Sequence, residues 1–399
     1  MPSCGRFTTA PGSSRIIPRL SKNPLRNVHS RSNAKLCILA HPPRISFFSV
    51  WASDPISSYH LGRVRDSYNL AFFLSFLDFR NPQTYNFIKG FQPHRKGGIH
   101  VQNSEVYLFG QILGTHSFLL KDGFLQPDEY SEIKDQYFLP GGETGTAATV
   151  LDSLGVSVKM AGTWIGTQVA PMLKSFYADK KVDLSLLEYM ENDPGVMDYV
   201  VIAGLVRSPM GKFQTLFSTG KRWWNVPKEE DLAGCKAAAI DPFFGEETML
   251  ASQLCQRLGI PYVTIDSPHF SPLHQHAAVN VVSKECVSEH YAGQAPEAIM
   301  EQLMNEAEGL TILTQGGGDM LYGRKGGEIH RMKPFSVEVK STLGAGDTFK
   351  AGCTYGILHG MSDDELVRFA SACSAIAISR FPLPLNPPTL AEVQKLLRE

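Results

Sequence analysis

A glycine-rich segment followed by an acid, near the C-terminus, has the residue types needed for phosphoryl transfer. It reads Ser341-Thr342-Leu343-Gly344-Ala345-Gly346-Asp347-Thr348-Phe349 and lies between a β-branched run and a helical pattern. At the N-terminus of a helix, the N–H groups of residues 344–346 would face an anion at the positive end of the helix dipole. Asp347 would then reach a hydroxyl held in front of a phosphate and could accept its proton. The alternative is a strand-to-helix turn that Asp347 merely caps.

The elements that must position this segment alternate between strand and helix patterns. Val106–Gly110 is predicted as a buried strand, 145–154 as a helix and 156–160 as a strand. Short apolar runs follow at Ala237–Ile240, Tyr262–Ile265, Val279–Val282 and 311–314, with helical stretches between at least some of them. Such βαβ alternation predicts an α/β fold with a mostly parallel sheet flanked by helices.

Two further patterns predict a helix start and a hairpin. Ser362 and Glu365 form a capping-box pattern that opens a predicted helix over 363–379. The apolar runs 198–203 and 213–217 flank Ser208-Pro209-Met210-Gly211, whose residues are typical of a turn, so a hairpin is predicted there.

Charge and cysteine content restrict the function classes. The chain has a formal charge of −1, but eight basic residues and no acidic ones precede Asp54. The rest of the chain is therefore acidic and is not expected to bind nucleic acid. The seven cysteines form no C-x-x-C pair, which favours reduced thiols in a cytoplasmic setting. No apolar run reaches the length of a membrane span.

The first hundred residues differ in composition from the rest. They begin with a Ser-, Pro- and Arg-rich, acid-free stretch, which is typical of a disordered tail or a transit peptide. Prolines at 11, 18, 24, 42 and 43 interrupt any amphipathic helix. Residues 1–100 are therefore predicted to be a disordered basic extension, with a mispredicted gene start or organelle targeting as the alternatives.

The segment Thr342-Leu343-Gly344-Ala345-Gly346-Asp347-Thr348-Phe349 resembles the C-terminal signature of the ribokinase-like (phosphofructokinase-B) sugar kinases, most closely in its ketohexokinase-like form. The resemblance runs from about Glu105 to the end of the chain. It implies a kinase domain over 101–399, with a small β-sheet lid formed by segments near 117–138 and 196–222. It also implies that Asp347 is the catalytic base, that the backbone of Gly344, Ala345 and Gly346 forms an anion hole, and that a homodimer could form through the lid.

The same resemblance assigns substrate-binding positions. Gly141-Gly142 matches the family's glycine pair at the start of a helix, where the missing Cβ atoms let a sugar approach the backbone. Thr146 stands where the family has an Asn, and Thr115 where it has an Asp. Hydroxyls therefore replace both sugar-binding groups, which leaves the identity of the acceptor open. Glu143 could compensate, or it could be an ordinary acid in the first turn of a helix.

ATP and Mg²⁺ are the cofactors that the resemblance implies. Thr314 and Gly316 match a loop that passes beneath ATP in the family, with Asp319 in place of the loop's last glycine. Gly318 and Ser371 are assigned to the same site. Glu285, in Ser283-Lys284-Glu285, is a candidate outer-shell ligand of Mg²⁺ or else a solvated residue at the start of a helix. Ser341 replaces an Asp that binds a monovalent cation in several relatives, so activation by K⁺ is not expected.

Three functions remain open from the sequence. The leading one is ATP-dependent phosphorylation of a hydroxyl on a sugar or sugar-like molecule. The second is a nucleoside kinase, in which Trp223 and Trp224 would hold a base. The third is a non-catalytic sugar- or nucleotide-binding protein, although such a protein would have little reason to keep Asp347 before an anion hole. His269, His274 and His276 are too weak a pattern to predict a metal site.

Overall fold

The computed structural model describes residues 104–124 and 127–399. The predicted basic extension over 1–100 lies outside these residues, as do Cys4 and Cys37. Within the described residues no helix is both long enough and apolar enough to span a bilayer. The five cysteines in this part of the chain are free thiols, and all but Cys286 are buried, as expected for small core residues.

A large, mostly parallel sheet forms the centre of the described chain. Its strands are β1 (Val106–Gly110), β4 (Val158–Gly162), β6 (Val182–Asp183), β10 (Ala237–Ile240), β11 (Tyr262–Ile265), β12 (Val279–Val282), β13 (Leu310–Gln315), β14 (Gly318–Gly323) and β15 (His330–Met332). They lie in the order β15-β14-β13-β12-β11-β10-β1-β4-β6. At one end of the sheet, β14 runs antiparallel to both β13 and β15. Strands β1 and β10 to β12 are fully buried, which explains their continuous apolar sequences.

Helices cover both faces of this sheet. They are α1 (Gly142–Ser153), α2 (Val169–Phe176), α3 (Phe213–Ser218), α4 (Glu246–Leu258), α5 (Pro272–Gln275), α6 (Lys284–His290), α7 (Pro296–Glu306), α8 (Ala345–Leu358), α9 (Asp363–Ile378) and α10 (Leu390–Leu396). Helix α8 packs on α1, on α9 and on strands β10 and β11. A Cβ atom at Gly352 would lie only 2.6 Å from Ala370 Cα, so a glycine is required where α8 and α9 touch.

A separate four-stranded sheet, the small sheet, contains β2 (Leu113–Leu120), β3 (Ile133–Gly141), β8 (Met197–Ala203) and β9 (Val206–Gly211) in the order β3-β2-β8-β9. Only residues 111 and 112 separate β2 from β1, and β3 continues directly into α1. A third sheet pairs β5 (Ile165–Gly166) with β7 (Tyr189–Met190).

The predicted α/β fold is confirmed, but the hairpin prediction was wrong in its turn and second strand. The chain reverses at Gly204, which has a left-handed φ of 56°, and not at 208–211, which belong to β9. Pro209 is tolerated because β9 is the edge strand of the small sheet, where one missing N–H costs little. Residues 213–217, predicted as a strand, form helix α3.

Smaller shifts affect the first βα unit. Helix α1 begins at Gly142, three residues before the predicted start, and β4 occupies 158–162 where 156–160 was predicted. The helix predicted over 363–379 is found as α9, and the Ser362 N–H donates to Glu365 Oε2 at 2.9 Å as the capping pattern requires.

Candidate active site

The segment 341–347 forms a tight turn that opens helix α8. Gly344 is the N-cap residue and adopts φ 78° and ψ 10°, a left-handed conformation that favours glycine. Its carbonyl accepts the Thr348 N–H at 2.9 Å, and the Ala345 N–H donates to Thr342 O at 3.3 Å. The next N–H groups, of Gly346 and Asp347, lie in the first turn, where N–H groups lack partners within the helix. The turn therefore presents N–H donors at a positive helix end.

Asp347 projects from this first turn and is partly exposed. Its removal from water raises its pKa, the nearby Lys350 ammonium lowers it, and the Asp241 carboxylate raises it again, with a net rise. A carboxylate whose pKa lies above its usual range is a better proton acceptor than an ordinary aspartate. The role of Asp347 as a base stays a prediction, and its raised pKa is in keeping with that role.

A buried ion pair lies beneath Asp347. Lys350, one turn further along α8, pairs with Asp241, which follows strand β10, and both side chains are 1% exposed. Asp241 Oδ2 also accepts hydrogen bonds from the Gln111 N–H and from Thr144 Oγ1, both at 2.9 Å. A Cβ atom at Gly110 would lie 1.8 Å from the same oxygen, so glycine is needed at the end of β1. The acid is therefore held by three donors and one close backbone contact.

Sequence reasoning missed this pair, although two signals were present. Burial alone lowers the pKa of Lys350, but the surrounding carboxylates of Asp241, Asp347 and Glu143 outweigh burial and raise it. The lysine is therefore held as a cation inside the protein. The signals were an acid directly after an apolar strand and a lysine that is the only charged residue between 348 and 358, and both are visible in the sequence.

Glu143 belongs to the same group of charges. It lies in the first turn of α1, and its Oε2 atom is buried without a hydrogen-bond partner among the described residues. Burial raises its pKa well above the usual range, and the neighbouring carboxylates of Asp347 and Asp241 raise it further. It is thus both an acid of the first helical turn and a neighbour of Asp347.

The predicted substrate-binding residues lie around the glycine pair 141–142, close to Glu143 and Asp347. Gly142 has φ 77°, and a Cβ atom there would lie 2.5 Å from Gln111 O. A Cβ atom at Gly141 would lie 1.8 Å from Thr115 Oγ1, so the hydroxyl of Thr115 lies directly over the start of α1. The Thr146 methyl would lie 3.3 Å from a Cβ at Gly344. The structure therefore brings Thr115, the glycine pair and Thr146 together with the turn before α8.

The predicted nucleotide-binding residues lie on neighbouring elements. Gly316, with φ 61°, turns the chain between β13 and β14, and Gly318 begins β14. Thr314 is the penultimate residue of β13, and its Oγ1 donates to Val282 O at 3.4 Å. A Cβ at Gly316 would lie 3.9 Å from the Lys284 side chain, so the glycine turn and the start of α6 are adjacent.

Ser371 and Glu285 differ in their accessibility. Ser371 is buried within α9, 4% exposed, one turn before Ser374, whose Oγ donates to Ala345 O at 3.1 Å. Glu285 is exposed in the first turn of α6. Its neighbour Asp266, which sequence reasoning missed, accepts the Ser283 N–H at 2.7 Å and Ser283 Oγ at 2.8 Å. Burial raises the pKa of Asp266, and Asp266 in turn contributes to the raised pKa of Asp347.

The tryptophans and histidines left open above have other partners. The Trp224 ring stacks on Phe244 at 4.9 Å, within the core on one face of the large sheet, and Trp223 donates to Thr219. His274 is buried beside Ser267, and His276 pairs with Glu308 at 3.0 Å. Within the described residues no three acidic, histidine or cysteine side chains form a metal-binding group.

The chain is similar to known sugar kinases in sequence and in fold. Residues 283–387 match the model of the pfkB family carbohydrate kinases. A 5-dehydro-2-deoxygluconokinase of Shouchella clausii is 25% identical over 298 residues, which are 72% of this chain and 84% of that protein. The enzyme of the same name from Bacillus licheniformis is 26% identical over 111 residues, 28% of this chain, and the match spans only 34% of its length.

Solved structures show the same fold over the whole of their own length. A putative ribokinase from Agrobacterium tumefaciens superposes with a TM-score of 0.65 at 17% identity, covering 74% of this chain and 98% of that one. The ribokinase of Arabidopsis thaliana, complexed with ribose and ATP, gives 0.60 at 16% identity, covering 75% and 100%. A putative ribokinase II from E. coli, complexed with ATP and Mg²⁺, gives 0.60 at 16% identity, covering 74% and 99%. The chain is therefore similar to the pfkB family carbohydrate kinases over residues 283–387 and has the fold of the ribokinases, as its glycine-rich signature predicted.

Proposed function

We propose that this chain transfers the γ-phosphoryl group of ATP to a hydroxyl of a sugar or sugar-like molecule, and that the kinase domain comprises residues 101–399. The observation that carries the proposal is the meeting of two helix starts. The turn with left-handed Gly344 opens α8 beside Asp347, and the glycine pair opens α1 beside the Thr115 hydroxyl. One start suits a phosphate and the other a polyhydroxyl compound that approaches the backbone closely.

The reaction follows from these positions. The acceptor oxygen attacks the γ-phosphorus, the bond to the β–γ bridging oxygen breaks, and ADP leaves with that electron pair. Asp347 accepts the proton of the acceptor hydroxyl, and the N–H groups of the α8 turn stabilise the charge on the transferred phosphoryl group. The raised pKa of Asp347 supports this role, because its carboxylate is held where burial and other acids favour protonation.

ATP and Mg²⁺ are proposed as cofactors because related structures hold them and because the residues present suit them. The glycine turn at 316–317 lies beside α6, so Thr314, Gly316, Gly318 and Ser371 are proposed to line the nucleotide site. Mg²⁺ keeps several waters and takes few protein carboxylates, which suits Glu285 and Asp266 as ligands through water. Bound Mg²⁺ would neutralise charge on the phosphates. The acceptor site is assigned to the glycine pair with Thr115 and Thr146.

The test begins with purified protein, ATP and Mg²⁺, and measures ADP release with neutral sugars, polyols, nucleosides and 5-dehydro-2-deoxygluconate. Asp347→Asn keeps the shape of the side chain but removes the proton acceptor, so kcat should fall by about 10² to 10⁴ with little change in ATP affinity. Asp363→Asn is the matched control, because Asp363 is also an acid in the first turn of a helix. Near-wild-type turnover of Asp347→Asn would refute the proposed base. ATP binding without ADP release on any acceptor would favour a non-catalytic member of the family.

A further inference from the structure

The small sheet carries an acid, Asp198, directly beside Thr115. Sequence reasoning found a threonine at position 115, where the family's sugar-binding Asp was expected, and no carboxylate nearby. We propose that Asp198 supplies that carboxylate from the neighbouring strand and binds two adjacent hydroxyls of the acceptor. The proposal rests on the proposed kinase function and names a specificity-determining residue for it.

The position of Asp198 follows from strand pairing. Strands β2 and β8 are parallel, and Thr115 is the register partner of Asp198, so the two side chains lie on the same face of the small sheet. Because Thr115 Oγ1 lies over Gly141, its strand partner Asp198 lies beside the glycine pair at the start of α1.

The face of the small sheet that carries Thr115 and Asp198 points toward the glycine-rich segment that opens α8. Side chains alternate along β8, so Ile202 lies on the face of Asp198, and its antiparallel partner on β9 is Arg207. Arg207 Nη1 donates to Thr342 O at 3.3 Å, which fixes the direction of this face. The opposite face carries a ring stack in which His116 lies 4.2 Å from Phe138 and 5.0 Å from Tyr199. Asp198 therefore lies on the face toward Asp347.

One oxygen of Asp198 is left without a partner in the protein. Its Oδ1 atom is buried and makes no hydrogen bond to any of the described residues. A buried acceptor without a donor costs free energy, and for a charged group the cost is higher. Burial accordingly raises the pKa of Asp198, against the lowering effect of the nearby Thr115 hydroxyl. A ligand with two hydroxyl groups could donate the hydrogen bond that Asp198 Oδ1 lacks.

The hydrogen-bonding groups of Asp198 and Thr115 favour one class of ligand. A carboxylate accepts two hydrogen bonds side by side, which matches two adjacent hydroxyls of a sugar or polyol, and the Thr115 hydroxyl can accept or donate one more. A ligand with an isolated hydroxyl would satisfy only one oxygen. The acceptor is therefore a compound with a vicinal diol, held by Asp198 and Thr115 at one end and phosphorylated at a hydroxyl in front of Asp347.

The experiment measures the KM of D-ribose, D-fructose and 5-dehydro-2-deoxygluconate, using whichever compound is turned over fastest by the wild type. Asp198→Asn should raise that KM about 10- to 100-fold, the range for a hydrogen bond to a charged group, while the KM for ATP stays within about twofold. Asp198→Ser gives the same comparison if the Asn variant does not fold. Asp135→Asn is the matched control, because Asp135 lies on the same face of the small sheet, opposite Leu119, and it should leave the KM unchanged.

The outcomes separate this inference from the kinase proposal. If Asp347→Asn loses turnover but both Asp198 variants keep the wild-type acceptor KM, the kinase proposal stands and Asp198 has no role in binding. A change in melting temperature with an unchanged acceptor KM would likewise overturn the inference, because Asp198 would then serve only the sheet. A raised acceptor KM in the Asp198 variants, with Asp135→Asn unaffected, supports it.

Discussion

Replacing Lys350 by Met should destabilise the protein strongly, because it leaves Asp241 buried without its cation. Both side chains of this pair are 1% exposed, so solvent cannot compensate for the lost charge. Removing one partner of a buried ion pair typically costs about 3–5 kcal/mol. Methionine is close to lysine in length, so the cavity term is small and the loss reports mainly the unpaired carboxylate.

The loss in free energy of unfolding should be measured by urea unfolding at neutral pH, with the melting temperature as a second measure. A cost of about 3–5 kcal/mol corresponds to a melting temperature roughly 6–20 °C lower, using about 2–4 °C per kcal/mol for domains of 150–250 residues. Lys236→Met is the matched control. Lys236 pairs with Glu105 at 3.2 Å, but their side chains are 66% and 37% exposed, and such pairs contribute about 0–1 kcal/mol.

A double variant tests the cause. In Lys350→Met combined with Asp241→Asn, the asparagine oxygen can still accept the Gln111 N–H, while the buried charge is gone. Part of the lost stability should therefore return. If Lys350→Met unfolds at the same urea concentration as Lys236→Met, or if the double variant is less stable than Lys350→Met, the explanation by an uncompensated buried charge is refuted.

The other predictions concern charge and cation dependence. The pKa of Glu143 is raised in the folded protein, so the protonated carboxyl stabilises the fold below the unfolded pKa of about 4.3, and this contribution is lost as pH rises through the folded value. Glu143→Gln should therefore be no more stable than wild type near pH 4 and increasingly more stable toward pH 8 in urea unfolding; a constant difference across this range would contradict the assignment. Replacing Na⁺ by K⁺ at constant ionic strength should change ADP release little, because Ser341 offers only a hydroxyl, which already accepts the Leu343 N–H at 3.2 Å. A large, saturable activation by K⁺ would show that the site binds the cation without a carboxylate.

Local patterns predicted the large sheet and the turn before α8 well. The first strand was placed at Val106–Gly110, where the structure has it, because a fully buried parallel strand has a continuous apolar sequence with few alternatives. The glycine-rich turn was found because small residues followed by an acid at a helix start form a strong local pattern, and the structure adds that Gly344 adopts a left-handed conformation there. Such features depend on neighbours in sequence, so one chain suffices to find them.

Features that depend on distant pairing were missed. Lys350 and Asp241 are 109 positions apart, and the residues next to each of them in sequence do not indicate which residue it pairs with. Asp198 reaches Thr115 only because β8 pairs with β2 in one register out of several. The hairpin was misplaced because Pro209 was interpreted as part of a turn, whereas an edge strand accepts proline. Edge position is a property of the sheet and cannot be seen along the chain.

The short connections between the two sheets link the orientation of the small sheet to the charges beneath Asp347. The small sheet is joined to the large one through Gln111 and Ile112, and through the direct passage from β3 into α1. The Gln111 N–H and the Thr144 hydroxyl, which both hold Asp241, lie in these joints, and the Ile112 N–H is bound to Thr163 Oγ1 at 2.8 Å. The joints of the small sheet therefore hold Asp241 in place, and Asp241 and its partner Lys350 both act on the pKa of Asp347. A change at the root of the small sheet is therefore expected to reach the pKa of Asp347 through the two hydrogen bonds on Asp241.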